Sequence, residues 1–211
     1  MGFKQDTYAL TAKGIIENLG KRNIEGFYFA TSKEAVAHIT AMMEKGSVIA
    51  WGGSESVKEC GLMDAIKNGD YELIDRATAT TPEEQRQLFA KTSLSDYYLM
   101  STNAITLNGE LINIDGNGNR LASLIHGPAH VIIVAGMNKV VTDVESGYKR
   151  VKTTACPPNA VRLSRKTPCG ATGKCGDCLS PDCFCNQIVI TRRSGHVGRI
   201  KVVLIGEELG Y

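Results

Sequence analysis

The chain has 211 residues, of which 43% are hydrophobic and 22% charged, and Lys plus Arg (24) nearly balance Asp plus Glu (22) for a formal net charge of +2. That apolar fraction is too high, and that charge too small, for a disordered chain. The balance also lacks the basic excess of a dedicated nucleic-acid binder, and the length allows about one to one and a half domains.

Along the chain, helix-like and strand-like segments alternate. Thr7–Leu19 has apolar residues at helical spacing, and Phe27-Tyr28-Phe29 reads as a short buried strand. Thr31-Ser32-Lys33-Glu34 is a capping box that opens a helix running to about Glu44. Ser47–Trp51 reads as a strand ending in Gly52-Gly53-Ser54, followed by a helix over Glu55–Cys60 with Gly61 as its stop. Met63–Lys67 is helical and Tyr71–Asp75 a strand. Thr81-Pro82-Glu83-Glu84 starts a helix that reaches about Lys91.

Tyr97–Ser101 reads as a strand, and Ile105–Ile114 as a hairpin turning at Asn108-Gly109. Asn119–Ile125 is a short helix, Val131–Ala135 a fully buried strand, and Thr142–Thr153 a helix. Pro157-Pro158 is expected to break the chain before a further helical piece. Residues 166–186 hold most of the cysteines, and Gln187–Thr191 with Ile200–Ile205 read as a closing hairpin. The expected fold is α/β, a mostly parallel sheet covered by helices on both faces. Its organisation is an α/β domain over 1–165, a cysteine-rich loop over 166–186, and a C-terminal hairpin over 187–211 that completes the same domain.

The apolar stretches Val131–Ala135 and Val202–Ile205 are far shorter than the roughly 20 residues of a membrane span. Met1 to Leu10 has no apolar run of signal-peptide type, so a cytoplasmic protein is expected. In a reducing compartment the 7 cysteines point to metal or redox chemistry before structural disulfides.

Three constellations carry chemical information. Gly52-Gly53-Ser54 leaves a strand and opens a helix, where backbone amides unobstructed by side chains form an anion site, or else a tight turn with Ser54 as an ordinary N-cap. The polar run from Ser101 to Arg120 holds Asn103, Asn113, Asp115, Asn119 and Arg120. Arg120 at a helix start can grip a carboxylate or phosphate through two parallel hydrogen bonds, with Asp115 ordering it; the alternative is turn chemistry. The third is Cys169-x5-Cys175-x2-Cys178-x4-Cys183-x-Cys185.

Only one Cys-x2-Cys knuckle is present, which suits one loop folded round an iron–sulfur cluster better than a two-knuckle zinc ribbon, zinc and a reversible disulfide pair remaining open. The window 146–176 holds Lys149, Arg150, Lys152, Arg162, Arg165, Lys166 and Lys174 and no acid, a local +7 that reads either as a solvated face or as a shell around an anion or a charged cluster. No Ser/His/Asp ordering supports a nucleophilic triad, and no Gly-x-Gly-x-x-Gly signature marks a nicotinamide site.

Taken in order, Trp51-Gly52-Gly53-Ser54, Ser101-Thr102-Asn103-Ala104, Asn113-x-Asp115-Gly116-x-Gly118-Asn119-Arg120, and Val131–Val134 followed by Gly136-x-Asn138-Lys139 resemble the lactate-utilisation (LUD) domain family, over about Lys13 to Leu204. The chain is similar to its single-domain branch, without the ferredoxin-type extension of larger members. The resemblance implies a fold like that of the ribose-5-phosphate isomerase and CoA-transferase group, with a small anionic metabolite bound over the strand ends. It implies a part in lactate or hydroxy-acid oxidation beside iron–sulfur redox partners. It implies Gly52, Gly53, Ser54, Asn103, Asp115, Asn119 and Arg120 as pocket residues. Of the metal-binding cysteines, Cys169, Cys175, Cys178 and Cys185 match related chains, and Cys183 is a departure that leaves the fourth ligand in question. The competing expectation is a non-catalytic ligand-sensing or assembly subunit whose cysteine loop holds structural zinc. Neither reading involves nucleic acid or membrane, and a homo-oligomer, in the simplest case a homodimer, is expected from fold analogy alone.

Overall fold

The computed structural model describes residues 2–211. Helix α1 (Phe3–Lys21) leads into strand β1 (Glu25–Phe29), then α2 (Ser32–Met42) and β2 (Val48–Trp51). Two short helices, α3 (Glu55–Glu59) and α4 (Leu62–Lys67), precede β3 (Glu72–Ile74), α5 (Pro82–Ser93) and β4 (Tyr97–Met100). The hairpin β5 (Ala104–Thr106) and β6 (Leu111–Asp115) follows, then α6 (Asn119–Ile125), β7 (His130–Gly136) and β8 (Val140–Val141). Helices α7 (Val144–Arg150), α8 (Cys156–Arg162) and α9 (Pro168–Thr172) lead to β9 (Gln187–Thr191) and β10 (Ile200–Ile205).

Six strands form one parallel sheet in the order β1-β10-β7-β4-β2-β3. Its central strands are apolar on both sides, as a sheet covered on both faces requires. Val131, Ile133 and Ala135 of β7 face one core with Ala12, Ile15 and Leu19 of α1. Ile132 and Val134 face the other with Ala35 and Ile39 of α2 and Leu62 and Ile66 of α4. Each buried Val, Leu or Ile among these contributes about 1.5–3 kcal/mol. The helix signals act as read: Thr31 and Thr81 form reciprocal capping boxes with Glu34 and Glu84.

The parallel direction decides where the site lies. The loops after β2, β4, β7 and β10 all leave from the same carboxyl edge of the sheet. A second sheet, β8-β5-β6-β9, stands beside that edge. Ala104, Ile112 and Ile114 of this small sheet pack on Val151, Ala155 and Cys156 to form a third core.

Two expectations are corrected. Gln187–Thr191 and Ile200–Ile205 do not form a hairpin. β9 pairs antiparallel with β6 in the small sheet, whereas β10 lies parallel between β1 and β7. The cause is burial: Val202 to Ile205 are fully enclosed and demand a central position, while Ile188 and Ile190 remain 48% exposed on an edge strand. Nor does Pro157-Pro158 break the chain. Residues 151–155 form a π-helical turn between α7 and α8, and the backbone stays helical through both prolines. A proline ring collides with the carbonyl four residues earlier in a regular α-helix, and the wider turn relieves that clash.

The hairpin at Asn108-Gly109 forms, with Gly109 at φ +85 and Asn108 outside the left-handed region. Thr106 and Glu110 flank a three-residue loop closed by Gly109 N–H donating to the Thr106 carbonyl at 2.9 Å. Among the described residues no helix is long and apolar enough to cross a membrane.

Candidate functional site

A pocket of about 530 Å³ opens at the carboxyl edge of the large sheet. Gly53 and Ser54 come from the loop after β2, Ser101–Asn103 from that after β4, Lys139 from that after β7, and Gly210 and Tyr211 from the segment after β10. The small sheet and α6 add Asp115, Asn119 and Arg120. Cys156, Arg162, Arg165 and Cys183 close the far wall. Six of the seven expected pocket residues therefore line one cavity. Gly52 stands behind it, where a Cβ would lie 3.0 Å from the Tyr98 hydroxyl and 3.2 Å from the Arg120 side-chain stem. A second, more apolar groove of about 930 Å³ adjoins, sharing Arg76, Asn117 and Asn119. The smaller cavity is the candidate site because buried polar groups converge in it and not in its larger neighbour.

Arg120 is the hub of the pocket wall. Its Nη1 donates to the Ser101 carbonyl at 3.2 Å and to Asn113 Oδ1 at 2.6 Å. Its Nη2 donates to Asn103 Oδ1 at 3.1 Å and to the Ile114 carbonyl at 2.7 Å. All four terminal N–H groups thus have protein acceptors, and Arg120 braces β4 against β6. Burial lowers its pKa, and the nearby Asp115 charge works against that shift. Asn113, fully enclosed, also donates to Thr102 Oγ1 at 3.1 Å.

Asp115 caps α6: its Oδ2 accepts from the backbone N–H of Arg120 at 3.0 Å and of Leu121 at 3.2 Å. Ser54 caps α3, accepting from Val57 N–H at 3.3 Å. Gly53 has a different reason to be glycine. A Cβ there would meet Arg76 Nη2 at 2.5 Å, so the Arg76 guanidinium lies directly over this backbone. Arg76 forms no ion pair among the described residues, in contrast to Arg162 with Glu55 and Arg165 with Asp182.

Lys139 belongs to the Gly136-x-Asn138-Lys139 motif, and the structure gives it the most unusual environment in the pocket. It is 4% exposed, has no carboxylate within ion-pair range, and its Nζ lies 3.0 Å from Ser101 Oγ. Burial lowers its pKa to about 7, aided by Arg150 and Arg120 and opposed by Glu59. The sequence did hold a signal: Lys139 follows the end of a buried strand, the same position that singled out Gly52–Ser54. Arg76 had no such marker, since only the folded chain lays it over Gly53.

The cysteines distribute differently from the expected set. Cys169 is buried against Thr167 Oγ1 at 3.2 Å, and Cys175, Cys178, Cys183 and Cys185 are half-buried. The Cys185 sulfur lies 3.3 Å from that of Cys156, which lies outside the sequence cluster and is delivered by α8. This contact, then burial, pushes the Cys185 thiol pKa up. Among the described residues no three His, Cys, Asp or Glu side chains gather closely enough to hold a metal ion.

The fold and site define an α/β protein with a polar, cation-lined pocket above the carboxyl edge of a parallel sheet. The LUD domain family model matches residues 12–205, and the chain belongs to that family. Its membership supports a role related to lactate utilisation. A DUF162 family protein from Deinococcus radiodurans is similar in structure over 95% of this chain and 98% of its own, at 13% identity and a TM-score of 0.50. That likeness is one of fold. eIF2B delta from Chaetomium thermophilum is similar over 55% of this chain and 50% of its own, at 16% identity and a TM-score of 0.38. No curated protein matches the chain.

Proposed function

We propose that this is a cytoplasmic protein of lactate-related hydroxy-acid metabolism that binds a small anionic metabolite in the 530 Å³ pocket and works beside an iron–sulfur redox partner. The observation that carries the binding reading is Arg76, an unpaired guanidinium laid over Gly53 at a pocket lined by four arginines and three carboxylates. Each of those carboxylates is already engaged: Glu55 with Lys58 and Arg162, Asp182 with Arg165, and Asp115 with the amides of α6. The excess positive charge therefore has no internal partner, and an anion supplies one. A redox partner is invoked because the sequence has no nicotinamide-binding signature of its own.

Calorimetric titration with lactate and with pyruvate tests the binding. Wild-type protein should bind at least one of them, and Arg76→Ala should weaken it about tenfold or more, the size of one charge-assisted hydrogen bond. Undetectable binding of both, or equal affinity of the variant, overturns the reading. The cysteine loop enters the proposal as the place that takes up an iron–sulfur cluster or zinc once its thiols are drawn together. Iron, sulfide and zinc analysis of anaerobically purified protein tests that part, and absence of all three overturns it.

A further inference from the structure

We propose that Ser101 and Lys139 form a nucleophile–base pair, and that this pocket carries out acyl transfer on an ester or thioester. The inference goes beyond anion binding, because it assigns covalent chemistry to groups that the binding reading does not use.

The geometry has four parts. Ser101 follows the last residue of β4, at the carboxyl edge where the pocket opens, and Lys139 follows β7, the neighbouring strand. Their reactive atoms, Oγ and Nζ, are 3.0 Å apart, within the reach a nucleophile and its base require. Ser101 is held in place: its carbonyl accepts from Arg120 Nη1, and its Oγ lies 3.3 Å from the Thr102 carbonyl and 3.5 Å from Ser56 Oγ, itself tied to the Leu209 carbonyl at 3.1 Å. Lastly, Lys139 is a buried amine with no carboxylate within ion-pair range, and burial favours its neutral form against the pull of Glu59.

Other hydroxyls and thiols nearby are committed elsewhere. Ser54 caps α3, Thr102 Oγ1 donates to the Ala104 carbonyl at 2.9 Å, and Cys156 lies against Cys185. Ser101 alone among these stands beside a base.

The step balances with water as the only co-reactant. The Ser101 Oγ–H proton passes to the neutral Lys139 Nζ as Oγ bonds to the acyl carbon. The resulting tetrahedral oxyanion develops in the positive field of Arg120 and Arg150. The carbon–oxygen or carbon–sulfur bond to the leaving group then breaks, and the leaving atom takes the proton from Lys139. Water attacks the acyl-serine with Lys139 again as base, releasing the carboxylate and free Ser101.

The test uses p-nitrophenyl acetate, a neutral activated ester, so its outcome does not depend on the anion-binding reading. Purified wild-type protein should release p-nitrophenolate in a burst and carry one acetyl group that peptide mass mapping places on Ser101. Lys139→Met should slow that acylation about a hundredfold or more, and Ser101→Ala should abolish it. The acylation rate should rise with pH through about 7 and then level, as Lys139 loses its proton in the field of Arg150, Arg120 and Glu59. Absence of acylation in the wild type, acetylation mapped to another residue, or an unchanged rate in folded Lys139→Met overturns the proposal.

Discussion

Asp115 Oδ2 accepts the backbone N–H of Arg120 at 3.0 Å, while the Arg120 guanidinium goes to four neutral acceptors: two backbone carbonyls and the side chains of Asn103 and Asn113. An Asp and an Arg five residues apart suggest an ion pair in the sequence. In the fold they share a helix terminus instead. The carboxylate satisfies amides that α6 leaves without intrahelical partners, and the guanidinium staples β6 to the loop after β4.

Arg120→Ala removes the donor from four acceptors at once and opens a cavity under the pocket. The expected loss is about 3–5 kcal/mol, seen as a fall of roughly 10 °C in the thermal midpoint. A midpoint within about 2 °C of wild type would show that the network does not brace the fold.

Asp115→Ala should cost about 1–2 kcal/mol through loss of the α6 cap, and Asp115→Asn much less, because the amide oxygen still accepts. Urea denaturation curves of the two variants check the order. Equal losses would assign Asp115 a charge role rather than a capping role.

Lys139 gives stability a pH dependence of known sign. Its folded pKa of about 7 lies below the ordinary lysine value of 10.5, so the unfolded chain binds the extra proton between those limits. The destabilisation is fully present below pH 7 and is relieved as the pH rises toward 10.5. Lys139→Met removes it. The variant should be more stable than wild type by about 2–4 kcal/mol near neutral pH, and the gap should close toward pH 10. Paired thermal midpoints at pH 7 and pH 10 measure this. A gap that is absent or widens with pH contradicts the burial of an uncompensated amine.

Cys156 and Cys185, with sulfurs 3.3 Å apart, should be the first thiols joined by an oxidant such as diamide. Peptide mapping after mild oxidation should find this cross-link ahead of any within the Cys169–Cys183 stretch. The Cys156→Ser variant should then keep its remaining thiols free for longer. Preferential linkage of Cys178 with Cys183 would place the reactive pair elsewhere.

Much of the architecture is legible in the sequence because it is locally encoded. Capping boxes at Thr31 and Thr81, the Asn108-Gly109 turn and the unbroken apolar run of β7 act through neighbouring residues, and the structure keeps them all. β9 and β10 show where local reading stops. Both are short apolar segments, and only competition for the centre of the large sheet separates them into different sheets.

The same division holds for the site. The sequence by itself marked the glycine loop, the polar run and the cysteine cluster, since their residue types carry chemical signatures at short spacing. Only the tertiary structure decided that Arg120 braces the wall, that Arg76 overlies Gly53, that Cys156 meets Cys185 from a distant helix, and that Lys139 stands beside Ser101. Parallel strands send their carboxyl-end loops to one edge whatever their distance in the chain. Residues 38 positions apart become hydrogen-bond partners there, and burial in that crowded edge, not sequence, sets the charge state of the lysine.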